Sequence, residues 1–93
     1  MAKIIVNVNM FDMYQTVYYV ENDKPTKVTS VMTDNIVNFI LYNDQWNKGV
    51  DEIEIDGNKH FVKKIGNDLV TEFQRQFSNR NVRILINGEV FNQ

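Results

Sequence analysis

Residues 50–86 read VDEIEIDGNKHFVKKIGNDLVTEFQRQFSNRNVRILI and form one unit: a short strand (VDEIEID, Val50–Asp56), a Gly-Asn break, a long amphipathic helix, a polar turn and a second strand (VRILI, Val82–Ile86). A parallel β-α-β crossover needs this order, because antiparallel partners can be joined by a tight turn while parallel ones need a chain long enough to return. Within the helix Phe61, Ile65, Leu69 and Phe73 recur every four residues with Val62 and Val70 beside them, so one face is core. Lys63, Lys64, Asp68 and Arg75 fall elsewhere and face water. Asn58 stands before the helix as a cap, and Ser78-Asn79-Arg80-Asn81 ends it. Gly66 inside it costs about 1 kcal/mol relative to alanine, which a close packing contact would account for.

Upstream, Ile4, Val6 and Val8 alternate with Ile5, Asn7 and Asn9, the period-two pattern of a strand running from Lys3 to about Met10. Thr16–Glu21 (TVYYVE) is a second strand that stops at the turn cluster Asn22-Asp23-Lys24-Pro25, where proline cannot donate to a ladder. Lys27–Met32 (KVTSVM) is a third, after which Thr33 or Asp34 is placed to cap a helix. In that helix Ile36, Val37, Phe39, Ile40 and Leu41 cover more than a narrow stripe, and Gly49 is where the chain turns out of it. Downstream of the second crossover strand, Asn87-Gly88 is a type I′ turn signal that lets Glu89–Phe91 fold back as a short edge strand.

A chain of 93 residues builds one core, so the expectation is a single α+β or α/β domain, residues 1–93, with a mixed β-β-β-α-β-α-β sheet and two helices. An apolar fraction of 43% with balanced charge argues for a folded protein rather than a disordered one. With no cysteine there is no disulfide framework and no thiolate metal site. The opening MAKIIVNVNMFD is too short and too polar for a signal peptide or a membrane span, which makes a cytoplasmic, non-membrane protein the expectation. The net charge of -2 hides an asymmetry: nine acids against four bases through Asp56, then three acids against six bases from Gly57 onward. Thirteen asparagines are unusually many for this length.

The element order over Lys3–Ile86 is similar to the ribonuclease H-like fold in its shortest form, with a split β-α-β ferredoxin-like arrangement as the competing topology. Nuclease members of the former hold divalent metal with a carboxylate in the middle of the first strand, another at the end of the fourth, and more near a later helix. Here the first-strand positions are Asn7 and Asn9, poor ligands for a hard cation, while Asp56 stands at the matching end of the fourth strand. One carboxylate cannot clamp two metals, so the resemblance implies a relative without nuclease chemistry. In size, in asparagine and lysine usage and in the segment IEIDGNKHFVKKI (53–65), the chain also looks like the small uncharacterised proteins of phages and prophages of Gram-positive bacteria.

In an open α/β sheet ligands sit beyond the carboxyl ends of the parallel strands, which nominates a rim of Asn9, Asp56, Asn58, His60 and Asn87. The functional reading is a small polar or anionic ligand at the start of the second helix. The plainer one leaves Asn58 as a cap, His60 in solvent and Asp56 favouring the positive helix end. Asp51, Glu52, Glu54 and Asp56 lie on a strand without the loop spacing of a calcium site. Lys59, Lys63, Lys64, Arg75, Arg80 and Arg83 are the candidates for a nucleic-acid patch. Tyr14, Tyr18 and Trp46 are the candidates for an aromatic protein interface, unless Trp46 closes one end of the core. No catalytic triad, phosphate-binding glycine loop, metal-ligand cluster or cofactor motif occurs, so the expectation is a non-enzymatic binding or adaptor protein that docks on a protein partner or on itself as a homodimer. The alternatives are a nucleic-acid accessory protein and a small-ligand binder at the rim.

Overall fold

The computed structural model describes residues 2–76 and 81–91; Ser78, Asn79 and Arg80, named above for the end of the long helix and for a basic patch, lie outside them. The strands are β1 (Ala2–Val8), β2 (Tyr14–Glu21), β3 (Lys24–Met32), β4 (Val50–Gly57), β5 (Arg83–Ile86) and β6 (Glu89–Val90). They form one mixed sheet in the order β3-β2-β1-β4-β5-β6. The first three pair antiparallel in succession, β1, β4 and β5 run parallel, and β6 returns antiparallel to β5. Three helices, α1 (Ile36–Tyr42), α2 (Asp44–Asn47) and α3 (Lys59–Gln76), complete the domain.

The strand alternation decides which face the helices cover. Ile4, Val6 and Val8 of β1, Val17 and Tyr19 of β2, Ile53 and Ile55 of β4, and Ile84 and Ile86 of β5 share one buried cluster with Ile36, Ile40, Leu41, Val62, Ile65 and Leu69 of the helices. The residues between them, Lys3, Ile5 and Asn7 on β1 and Glu52, Glu54 and Asp56 on β4, point to the other face and are at most half-buried. α3 follows its four-residue apolar repeat, and Asn58 caps it by accepting a bond from the Phe61 N–H at 3.2 Å. Gly66 is close-packed as expected: a Cβ there would stand 3.1 Å from Ile86 Cδ1 and from the Phe91 ring.

The structure corrects several boundaries. β1 ends at Val8 rather than Met10, because the Gln15 side chain takes both the N–H and the C=O of Asn9 and replaces the ladder there. β2 starts two residues earlier than expected, at Tyr14. The turn after it is only Asn22-Asp23, both with positive φ of 52° and 64°, so β3 already includes Pro25. Proline is tolerated there because β3 is an edge strand and Pro25 adjoins a register shift between Tyr19 and Val20.

The first predicted helix is three pieces: a 3₁₀ turn over Thr33–Asn35, then α1, then α2. Neither Thr33 nor Asp34 caps it. The break falls at Asn43, whose side chain accepts a bond from the Gln45 N–H at 3.2 Å and so starts a new helix. Buried Asn47 then donates to the carbonyls of Ile40 and Leu41, at 3.1 and 2.7 Å, which satisfies the end of α1.

Gly57 closes β4 with φ +150°, and a Cβ there would run into the Val8 carbonyl of the neighbouring strand. Gly57→Ala should therefore lower stability by at least about 2 kcal/mol in urea denaturation. Gly49→Ala, at φ +76° with open space around it, should cost only about 1 kcal/mol.

Candidate functional site

The rim predicted at the carboxyl ends of β1, β4 and β5 exists as a place but not as one side-chain constellation. Asn9 and Asp56 line a shallow cavity of about 270 Å³ together with Asn7, Val8 and Gly57. Asn87 is turned onto backbone instead: its Oδ1 accepts from the Gly57 N–H at 2.9 Å and its Nδ2 donates to the Gly57 carbonyl at 3.1 Å. Asn58 is occupied as the α3 cap and His60 is exposed on the first turn. Among the described residues no group of three or more His, Cys, Asp or Glu gathers around a point that could hold a metal ion.

The more strongly built feature lies beside this rim. Gln15 is 3% exposed and its amide holds the β1–β2 loop. Its Oε1 accepts from the Asn9 N–H at 2.9 Å; its Nε2 lies 2.7 Å from the Asn9 carbonyl, 3.1 Å from the Asp12 carbonyl and 2.9 Å from Thr33 Oγ1. Thr33 in turn donates its hydroxyl to the Asp12 carbonyl at 2.7 Å and its N–H to the Met13 carbonyl at 2.8 Å. The Asp12 N–H donates to the Asn9 carbonyl, and the Phe11 N–H to Asn9 Oδ1. These bonds tie the loop at Asn9, Phe11, Asp12 and Met13, and its apolar side chains point outward. Phe11 is 88% exposed and Met13 69%, with Met10, Tyr14 and Met32 around them also exposed. Adjoining them, Met13, Met32, Val37, Phe61 and Ile65 line a groove of about 480 Å³ whose polar edge is Asp34, Asp68, Lys64 and Thr33.

The three aromatic candidates separate. Tyr14 belongs to the exposed cluster, opposite Met32 in the β2–β3 register. Tyr18 is half-buried on the helix-free face, between Ile5 and Val28 in register. Trp46, a candidate for an interface or for closing one end of the core, is buried on the helical side at 9% exposure, edge-on to Phe39 at 5.3 Å and to Tyr19 at 6.2 Å. Packing on two aromatic rings offers the indole more buried contact than a place on the surface. Sequence reading gave no site role to Gln15, Phe11, Met10, Met13 or Met32 and took Thr33 only as a helix cap; the available signal was the apolar MFDM run (10–13) that begins where the first strand was expected to end.

The basic candidates are divided by the sheet. Lys59, Lys63 and Lys64 lie exposed on α3, where Arg75 also sits, 3.5 Å from Glu72. Arg83 is on the helix-free face, 3.5 Å from Glu52, which Lys3 approaches from the other side at 4.0 Å. On that same face Glu54 lies opposite Ile5 and Leu85 in register. Burial there pushes its carboxyl above the ordinary 4.5, helped by a hydrogen bond with Asp56 and the charges of Asp56 and Glu52, with Lys3 acting in opposition.

No helix among the described residues is long and apolar enough to cross a membrane. No protein-family model and no curated protein matches the chain.

Gln15→Ala leaves the Asn9 N–H and the loop carbonyls without their partner, and should cost about 2–3 kcal/mol in urea denaturation. The raised Glu54 carboxyl means that the folded chain holds this proton more tightly than the unfolded one. Its contribution to stability is therefore full below about pH 4.5 and is lost as pH rises through the folded value. Glu54→Gln should remove that decline, giving a variant more stable than the parent at about pH 7 but not at about pH 4.

Proposed function

We propose that this chain is a non-enzymatic binding or adaptor protein that acts by protein–protein contact, with the Asn9–Tyr14 segment as its docking tip. The observation that carries this reading is an exposed Phe11 held on a loop that a buried glutamine fixes in place. A loose loop would lose conformational freedom on docking, whereas a preorganised one has already lost it in folding. Exposed apolar side chains clustered on a fixed support mark a contact site more than single scattered ones do. Methionines around Phe11 add surface that can adapt to a partner. The fitting partner offers a concave apolar pocket to Phe11 and a basic rim, since Asp12, Asp34 and Asp68 outnumber Lys64 around the tip and groove.

The sheet order supports the narrower resemblance to the ribonuclease H-like fold, with β1, β4 and β5 parallel and β2 and β3 folded back beside β1. It also supports the non-enzymatic reading of that resemblance. Asn7 of β1 stands opposite Asp56 of β4, so the position beside the one remaining carboxylate is an amide. A phage- or prophage-encoded protein working in the cytoplasm of a Gram-positive host belongs to the same proposal. The nucleic-acid alternative draws less support, because Arg83 and the α3 lysines occupy opposite sides of the sheet. The small-ligand alternative loses Asn87 and Asn58 to backbone bonds.

The immobilised chain, exposed to a nuclease-treated lysate of such a host, should retain a protein whose purified form binds it directly. Phe11→Ser with Met13→Ser should weaken that binding by about thirtyfold or more without lowering the melting temperature. Equal binding by the double variant, or retention of nucleic acid alone that high salt removes, would overturn the reading.

A further inference from the structure

The two edges of the sheet differ in kind. β6 is two residues long, whereas β3 is nine, and all but Thr29 and Val31 of the nine are exposed. Long free edges are ordinarily blunted by charge, proline or irregular backbone, because their unpaired N–H and C=O groups template another strand. In β3 those devices are confined to the first four residues. Pro25 and the register shift lie at its start, and Lys24 stands opposite Glu21. Lys27 is drawn back over the helical side: its ammonium donates to the Gln45 carbonyl at 2.9 Å and lies 4.9 Å from the Tyr19 ring and 5.9 Å from the Trp46 ring. From Val28 to Met32 (VTSVM) the edge carries no charge and no proline, and Val28 is 60% exposed.

We propose that β3 is the docking edge for β3 of a second copy of this chain, paired antiparallel about a twofold axis at Val28. The register follows from the residues. Opposed pairs are then Lys24 with Met32, Pro25 with Val31, Thr26 with Ser30 and Lys27 with Thr29, while Val28 meets its own counterpart. No lysine faces a lysine, whereas an axis one residue earlier sets Lys27 against itself. An axis one residue later sets Val28 against Ser30 and interrupts the apolar row that Val28, Tyr18 and Ile5 form across β3, β2 and β1. With the axis at Val28 that row continues from one sheet into the next. A twofold perpendicular to the sheet keeps both helical layers on the same side and makes the two sheets one continuous twelve-stranded surface. The edge is distinct from Phe11 and stands whether or not the tip docks a partner.

The test is sedimentation equilibrium over a range of concentrations on the full chain, on Val28→Lys, on Val28→Glu and on an equimolar mixture of the two variants. The parent should dimerise, each variant should dissociate at least about tenfold more readily, and the mixture should regain dimer, because only an axis at position 28 brings the two new charges together. A parent that stays monomeric, a dimer indifferent to both substitutions, or folded variants whose mixture stays monomeric would overturn the proposal. Should a variant not fold, amide exchange of Val28–Met32 in the parent decides: slower exchange at higher protein concentration supports the seam, and unchanged exchange overturns it.

Discussion

β1 is the strand against which both halves of the sheet are registered, and its parallel pairing with β4 constrains most of the architecture. A parallel neighbour obliges the chain to cross over, and here it crosses twice in the same direction, from β3 over β2 and β1 to β4 through α1 and α2, and from β4 to β5 through α3. Crossovers of the usual right hand that step the same way lie on the same face of a sheet. That places α1, α2 and α3 together on one side, gives the core one parity of each strand, and leaves the other side without a helical layer. The uncovered face has its own order. Lys3, Glu52 and Arg83 form an ion row across three strands, and beside it Val28, Tyr18, Ile5, Glu54, Leu85 and Val90 follow one another across all six. Glu54 is thus the one carboxyl in an otherwise apolar row, and its raised proton affinity comes first from burial there and then from Asp56 and Glu52 on its own strand, with Lys3 acting in opposition.

The fold was legible where the periodicity was long and single-sided. The repeat through Phe61, Ile65, Leu69 and Phe73, the strands on either side of it and the Asn87-Gly88 turn all appear where the residues place them, with φ of 51° and 84° at that turn. It was illegible where a side chain replaced a backbone partner. The alternation of β1 runs on through Asn9, and nothing local says that Gln15 will terminate it from the next strand. The first helix reads as continuous because its apolar residues do not reveal that Asn43 will bond to Gln45 and begin again. The side chains of the candidate rim were hard to read for a related reason. Two of its asparagines, counted as free donors and acceptors, were in use holding backbone, Asn58 on Phe61 and Asn87 on Gly57, and outside the rim Asn47 does the same on Ile40 and Leu41. Several of the many asparagines thus have a structural account, since an amide can donate and accept at once and serves turns and caps that no ladder reaches.

Gln15 shows how one such amide couples stability to exposure. It sits among buried residues of β2 with every buried polar side-chain atom among the described residues satisfied, so its burial carries no desolvation debt. The bonds that satisfy it are those that stop β1 at Val8 and hold Asn9–Met13 in place. A chain optimised only for burial would turn Phe11 and Met13 inward or shorten the loop. This one instead uses an interior polar network, itself part of what stabilises the fold, to hold large apolar side chains in water.

Trp46 and Lys27 couple the interior to the sheet edge in the same manner. The indole is buried against Phe39 and Tyr19, which fixes α2 against β2 and brings the Gln45 carbonyl within reach of β3. Lys27, still exposed, then sets its ammonium on that carbonyl and over two aromatic rings. The same contacts that close this end of the core therefore withdraw the charge nearest the middle of β3. The stretch from Val28 to Met32 is uncharged by its own residues, and the closure of the core at Trp46 adds to this by drawing the neighbouring Lys27 off the strand edge.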